Sequence, residues 1–346
     1  MAARLGQYEA LIADAELLSQ QARDAAGRPS PAVSADYNQA TALMQGDILP
    51  VVRNVTGSSE SGLNTSYGAA KTTALSGVIG MIVLGVLLVA VLVALQALLV
   101  VRFRRLVNPA LAVATVLAIA FTAVIATTFY AEDTHAHVAR FDSFVSIQAL
   151  SMAKAISNDA NADESRFIVD PAHAARYRQA YLDKSQQIVN VGRNVSYARY
   201  LALLNADIAA YQRNNSDIRF GGFLGQEVRN ITFPGERQAA VDSLLAFRDY
   251  ETDDRTLRAM AQTNLAQAID YDINVAPDDS DGAFNAYANA LQSVIDINTG
   301  AFAQAVAAGQ SAAGGAFPAV EALAALAIVS LVYAGVRPRL AEYRAS

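Results

Sequence analysis

The sequence has no cysteine and no tryptophan, only 3 histidines, and charged residues at just 17% of its 346 positions. Without cysteine there is no disulfide framework, no thiolate-ligated metal centre and no thiol nucleophile. The charged fraction lies well below the ~25% of soluble chains, while 53% of residues are apolar and mean hydropathy is +0.23. Part of the chain therefore belongs outside water. Basic residues are scarce too: 26 Lys and Arg face 32 Asp and Glu, giving a net charge of −6 and a pI near 5.1. A nucleic-acid partner is excluded on that balance, because phosphates need a basic face.

What the chain does have is long uncharged runs. Residues 74–101 carry no charge, with Ser76 and Gln96 as the polar exceptions. At ~1.5 Å per residue this run outspans the ~30 Å hydrocarbon core. Residues 110–129 form a second uncharged run, and 317–336 a third with Glu321 near its start. The expected fold is an all-α integral membrane protein whose three transmembrane helices continue into extracytoplasmic antiparallel helical bundles.

Orientation follows from the arginines. Arg102, Arg104 and Arg105 crowd the 102–109 loop, and Arg337, Arg339 and Arg344 the 337–346 tail. The positive-inside rule places both in the cytoplasm, and segments 1–73 and 130–316 outside; the absence of cysteine and the richness in alanine point to the plasma membrane of a bacterium. Met1-Ala-Ala-Arg-Leu5 has no apolar leader to carry residues 1–73 across. The arrangement therefore predicts a further span upstream in the complete protein, with 1–73 a helical hairpin from a truncated bundle.

Outside the membrane the patterning is helical. Leu5, Tyr8, Ile12, Ala15, Leu18 and Ala22 recur at three and four, and a second helix from about Ser34 runs into the first span with a kink at Pro50. Asn108-Pro109 supplies a cap and a first helical residue. Beyond the second span Phe141, Phe144 or Val145, Gln148, Met152 and Ile156 mark one face, and 158–163 reads as a polar loop. Helices are expected after Pro171, over 197–211 and over 236–271, with an irregular piece at 214–236. Pro277–Gly282 is a turn, and the last helix continues through Gly314-Gly315 into the third span. Ala110, Ala114, Ala118, Thr122 and Ala126 on the second span, and Ser76, Gly77, Gly80 and Gly85 on the first, form small faces. Such faces suit close packing of the spans or a homo-oligomer.

Few residues carry chemistry. His135 and His137, two apart on a helix, point to opposite sides and cannot share one metal ion. His173 decorates a helix start. Asp253-Asp254 and Asp278–Asp281 read as solvated turns, the latter lacking the closing Glu of a calcium loop. Gly221-Gly222 and Gly225 follow no strand and form no phosphate loop. No catalytic residue and no cofactor is expected. The spans hold no ionisable residue at midplane depth, which counts against transport. The best recognition surface is Arg193, Asn194, Tyr197, Arg199 and Tyr200, with Arg176, Arg178 and Tyr181 upstream. Arginine forks to carboxylates and tyrosine gives rigid amphipathic contact. Phe220 and Phe223 mark a second candidate, a docking loop. Arg102, Arg104, Arg105, Arg337 and Arg339 form the candidate cytoplasmic output.

The layout is similar to bacterial helical-bundle sensors, without their large cytoplasmic output domain. Asn230-Ile-Thr-Phe-Pro-Gly-Glu-Arg237 ahead of a long helix, and Leu49-Pro50 ahead of the first span, make the chain resemble the actinobacterial GlnX-like membrane proteins. That resemblance implies a non-enzymatic relay, with an extracytoplasmic solute-binding lipoprotein, amino-acid related, as one partner and a cytosolic Ser/Thr kinase as the other. It transfers no ligand residues to positions here. The alternative reading is a structural or accessory subunit of another membrane complex.

Overall fold

The computed structural model describes residues 2–22, 29–103, 108–276, 279–314 and 317–344. These residues form helices and no strand, with one isolated antiparallel bridge between Asn190 and Gly221. The chain divides into two compact units: residues 1–61 with 141–301, and 62–140 with 302–346.

In the first unit, α1 (Ala2–Ala22) and α2 (Pro31–Leu43) form a hairpin. Ser30 caps α2 by accepting from the Val33 N–H, with Pro31 at the first helical position. A π-helical turn over Met44–Ile48 then leads into α3 (Leu49–Phe103), with the Leu49 N–H reaching back to the Met44 carbonyl. The turn sits just ahead of Pro50, whose ring would clash with the preceding turn and whose missing N–H leaves a carbonyl unpaired. The expected kink is thus a widened turn.

The larger part of this unit holds α5 (Val145–Val169), α6 (Ala174–Ile188), α7 (Tyr197–Arg213), α8 (Gly222–Asn230), α9 (Glu236–Thr263), α10 (Leu265–Ile273) and most of α11 (Ser280–Gly314). Its core joins Leu150, Ile156, Tyr181, Tyr200, Leu204, Tyr211, Phe220, Leu244, Phe247, Tyr250, Tyr287 and Leu291. Three expectations need correction here. Residues 158–163 are not a loop: α5 runs through them to Asp170, where the following Pro171 disfavours helix. Asp159 and Asp163 pair with Arg166 and Lys184, and the Asn161 amide donates to Asp281. The buried face of α5 runs through Ser146, Ala149, Ala153 and Ala160, with Ile156 the shared member of the expected face; small side chains let α6 approach closely. The helix expected over 236–271 is two, because Asn264 turns extended and caps α10 by accepting from the Gln267 N–H. Gly222 explains the glycines near 221: its φ is +76°, and a Cβ there would lie 2.6 Å from the Ile188 carbonyl oxygen. Only glycine lets α8 start against the end of α6.

The second unit holds the apolar part of α3, α4 (Pro109–His137) and α12 (Phe317–Arg344). Three helical stretches are long and apolar enough to cross a membrane: Leu75–Val101, Pro109–Val169 and Val320–Arg337. In the second only 110–129 is the uncharged run, and from Glu132 onward that helix carries ionisable side chains. Asn108 caps α4 as expected, accepting from the Ala110 and Leu111 N–H groups. Its amide also donates to the Gly335 carbonyl of α12 at 2.8 Å. Leu92, Leu111, Ala114, Ala118 and Ile328 form the buried seam. Gly85 sits against Thr122, where any Cβ would strike the threonine side chain. The Gln96 amide donates to Thr115 Oγ1 at 3.1 Å. By contrast, Gly77 and Gly80 face open space, so of the glycines on that small face it is Gly85 that meets the second span.

Candidate functional site: the arginines around Tyr197 and the ionic core beneath

The segment from Gly192 to Ser196 crosses the end of the bundle as non-helical chain between α6 and α7. Asn194 adopts φ +55°, a left-handed conformation that asparagine tolerates. Arg193, Asn194 and Arg199 are exposed there, as are Arg176 and Arg178 on α6. Tyr197, the first residue of α7, is half-buried and forms the hub. The Arg255 guanidinium lies 4.3 Å from its ring centroid, that of Arg178 5.8 Å and that of Arg258 5.6 Å. Cations at this range are attracted to the ring face. Arg255 also donates to the Tyr197 carbonyl at 3.2 Å.

Beneath the ring the polarity goes inward. The Tyr197 hydroxyl donates to Asp254, which is fully buried and also accepts from Arg258 Nε at 2.7 Å. Tyr250 donates to Glu164 Oε2 at 2.9 Å. Burial first, and then the neighbouring Asp254, push the Glu164 carboxyl well above its usual range. Burial raises Glu251 to about 7 against the pull of Arg255, whose guanidinium is 2.9 Å away. For Arg258, burial works against the charge, but Asp254 outweighs it and holds the guanidinium protonated.

A second ionic group lies at the α5–α6 contact. Asp163 pairs with Arg166 at 2.6 Å and Lys184 at 2.5 Å, while Asp159 pairs with the same two cations at 3.3 and 2.6 Å. Lys184 and Arg166 prevail over burial and lower the Asp159 carboxyl. Burial raises the Tyr37 hydroxyl of α2 above its ordinary range, against the pull of the Arg166 charge. A third group is a carboxyl pair. Glu236 accepts from the Thr232 and Phe233 N–H groups at 2.6 and 2.9 Å and from the Asn298 amide at 2.7 Å. Burial, reinforced by Glu236, raises Glu227 to about 8. Beside this pair the Asn230 amide donates to the Phe141 and Asp142 carbonyls, at 3.1 and 2.9 Å, and to Ser146. Those two carbonyls belong to a π-helical turn over Val138–Phe144, which disturbs the regular hydrogen-bond ladder.

The expected recognition residues thus divide. Arg193, Asn194, Arg199 and, in part, Tyr197 present a surface. Tyr200 does not: it is fully buried, with its hydroxyl donating to the Ser185 and Val189 carbonyls. Phe220 is likewise enclosed, edge-on to Tyr211, and Phe223 is partly buried against the same core. Neither phenylalanine forms a projecting docking loop. Asp254 is core rather than solvated turn, and Asp253 accepts from Tyr271 at 2.8 Å. His173 sits 2.8 Å from Asp170 at a helix start. Among the cytoplasmic candidates, Arg104, Arg105 and the side chains of Arg102 and Arg339 lie outside the described residues, as do Pro277, Asp278 and Gly315. Arg337 is exposed, near Tyr333. No metal-holding group of His, Cys, Asp or Glu occurs among the described residues.

The sequence reading missed Glu164, Glu251, Arg255, Arg258, Glu227 and Glu236. A signal was present: 247, 250, 251, 254, 257 and 258 continue one helical stripe, so the charges on it had to be buried or break the stripe. No family model, no curated protein and no solved structure matches this chain.

Proposed function

We propose that the protein is a non-enzymatic transmembrane relay, in which a helical bundle outside the bacterial plasma membrane senses a ligand or a solute-binding lipoprotein and passes the event to a cytosolic partner such as a Ser/Thr kinase. One observation carries the reading: α3 and α11 run without a break from one compact unit into the other, and Pro109–Val169 does so with a single π-helical turn. A continuous helix transmits displacement or rotation, whereas a flexible linker dissipates it. The exposed arginines around Tyr197 supply a docking face for a carboxylate-bearing partner. Arg178 among them lies over the Tyr197 ring, whose hydroxyl reaches the buried Asp254, so occupancy there biases which bundle packing is stable. The π-helical turn held by Asn230 is the element that would absorb or release a one-residue change of register. The basic 102–109 loop and the 337–346 tail are the output surface, on the inner side by the positive-inside rule. The GlnX-like resemblance supports the same assignment of partners.

The test replaces Arg102, Arg104 and Arg105 together by alanine. The expected result is loss of the cytosolic phosphorylation readout, with extracytoplasmic binding and membrane orientation unchanged. A readout that persists in a correctly oriented variant overturns the proposal.

A further inference from the structure

Between α3 and α4 runs a crevice whose chemistry changes along its length. A cavity of about 480 Å³ is lined by Tyr67, Lys71 and Leu75 of α3 and by Phe129, Glu132 and Asp133 of α4, with Val78, Ile82 and Ala126 at its deeper end. Ile82 and Ala126 also line a second cavity of about 370 Å³, which is walled by Val86, Val89 and Ile119. The two therefore form one groove. From Lys71 to Val89 it extends about 27 Å at ~1.5 Å per residue. Its apolar part, from Leu75 on, is longer than the ~15 Å of hydrocarbon in one leaflet, half of the ~30 Å core. The mouth is flanked by tyrosines and a phenylalanine, the residues that settle at a membrane–water boundary. It carries a cation and two acids, and among the described residues no ion pair joins Lys71 to Glu132 or Asp133.

A groove that is zwitterionic at one end and apolar for a leaflet's depth at the other fits an amphiphile of the same order. We infer that it holds one zwitterionic glycerophospholipid, the phosphate on Lys71, the primary ammonium on Glu132 and Asp133, and an acyl chain along Leu75, Ile82 and Val89. Charge complementarity selects this occupant. An anionic lipid would leave two acids facing its phosphate region, and a bare acyl chain would engage none of the three charges. The inference needs only that the spans lie in a bilayer, and it stands whether or not the protein relays a signal.

The test uses the full chain, delipidated in detergent and titrated with phosphatidylethanolamine or phosphatidylglycerol of identical acyl chains, read by native mass spectrometry. The expected result is a single phosphatidylethanolamine adduct, formed at about a tenfold lower lipid concentration than the phosphatidylglycerol one. The pair Glu132→Gln and Asp133→Asn should abolish the preference while keeping an adduct. Ile82→Trp should block the groove and suppress adducts of both lipids, with helicity by circular dichroism unchanged. Equal adducts for the two lipids would mean that only annular lipid is bound, and would overturn the site. So would a preference that survives the double substitution, or adducts that survive Ile82→Trp.

Discussion

The Arg258 guanidinium reaches Asp254 through two nitrogens at 2.7 Å and lies over the rings of Phe167 and Tyr181. Replacing it with alanine leaves Asp254 buried without its main cation, a loss of about 3–5 kcal/mol for a broken buried pair. Tyr197→Phe removes one hydrogen bond but keeps the ring under its arginines, and should cost about 1 kcal/mol. Thermal melts of the purified full chain should therefore rank the two variants with Arg258→Ala far lower in Tm. Glu227 gives a pH signature. Its folded-state pKa of about 8 lies above its ordinary value of 4.5, so the folded protein holds a proton that the unfolded chain releases. The contribution of Glu227 to stability is full below pH ~4.5 and falls, by up to ~1.4 kcal/mol per unit, as pH rises towards 8. Glu227→Gln mimics the neutral acid. The variant should match the native protein at pH 4 and exceed its Tm at pH 8; a native advantage at pH 8 would refute the assignment. Of these residues the sequence showed the positions but not the partners. Glu251, Asp254 and Arg258 sit on the stripe of Phe247 and Leu257, yet which acid meets which base depends on α5 and α7 arriving at the same place.

Among elements, the Val138–Phe144 turn depends on a side chain 89 positions away, since Asn230 satisfies the Phe141 carbonyl. Asn230→Ala should leave that carbonyl and the one of Asp142 to water or to a re-formed α-helical ladder. Hydrogen exchange through 138–146 should then rise several-fold, with α9 unchanged; unaltered protection there would show that the turn needs no such support. Most helices were legible from spacing alone, including the Asn108 cap and the Pro171 break. The failures have a common cause. Residues 158–163 looked like a loop because Asp159, Asn161 and Asp163 are polar, and the 236–271 helix looked continuous because Asn264 is only one residue. Local composition reports solvation, and here the polar groups are solvated by other side chains.

At the scale of the whole molecule, the absence of cysteine makes the topology directly measurable. A single cysteine at Arg104 should react with a membrane-impermeant maleimide only after the membrane is opened, whereas one at the exposed Asn215 should react on intact cells. The reverse pattern would invert the proposed route of information. The three spans were readable because a membrane leaves few ways to satisfy a long uncharged run. The packing between them was readable only in part, since Gly85 and Gly77 look alike in sequence and only one meets a neighbour. The Asp159–Arg166–Asp163–Lys184 ring holds two acids and two bases that each contact both members of the opposite sign. Loss of any one member leaves an odd charge enclosed, so no single step of evolutionary drift is neutral at these four positions. Descendants of this chain should keep all four or exchange them together, and an engineered replacement should remove the whole set at once.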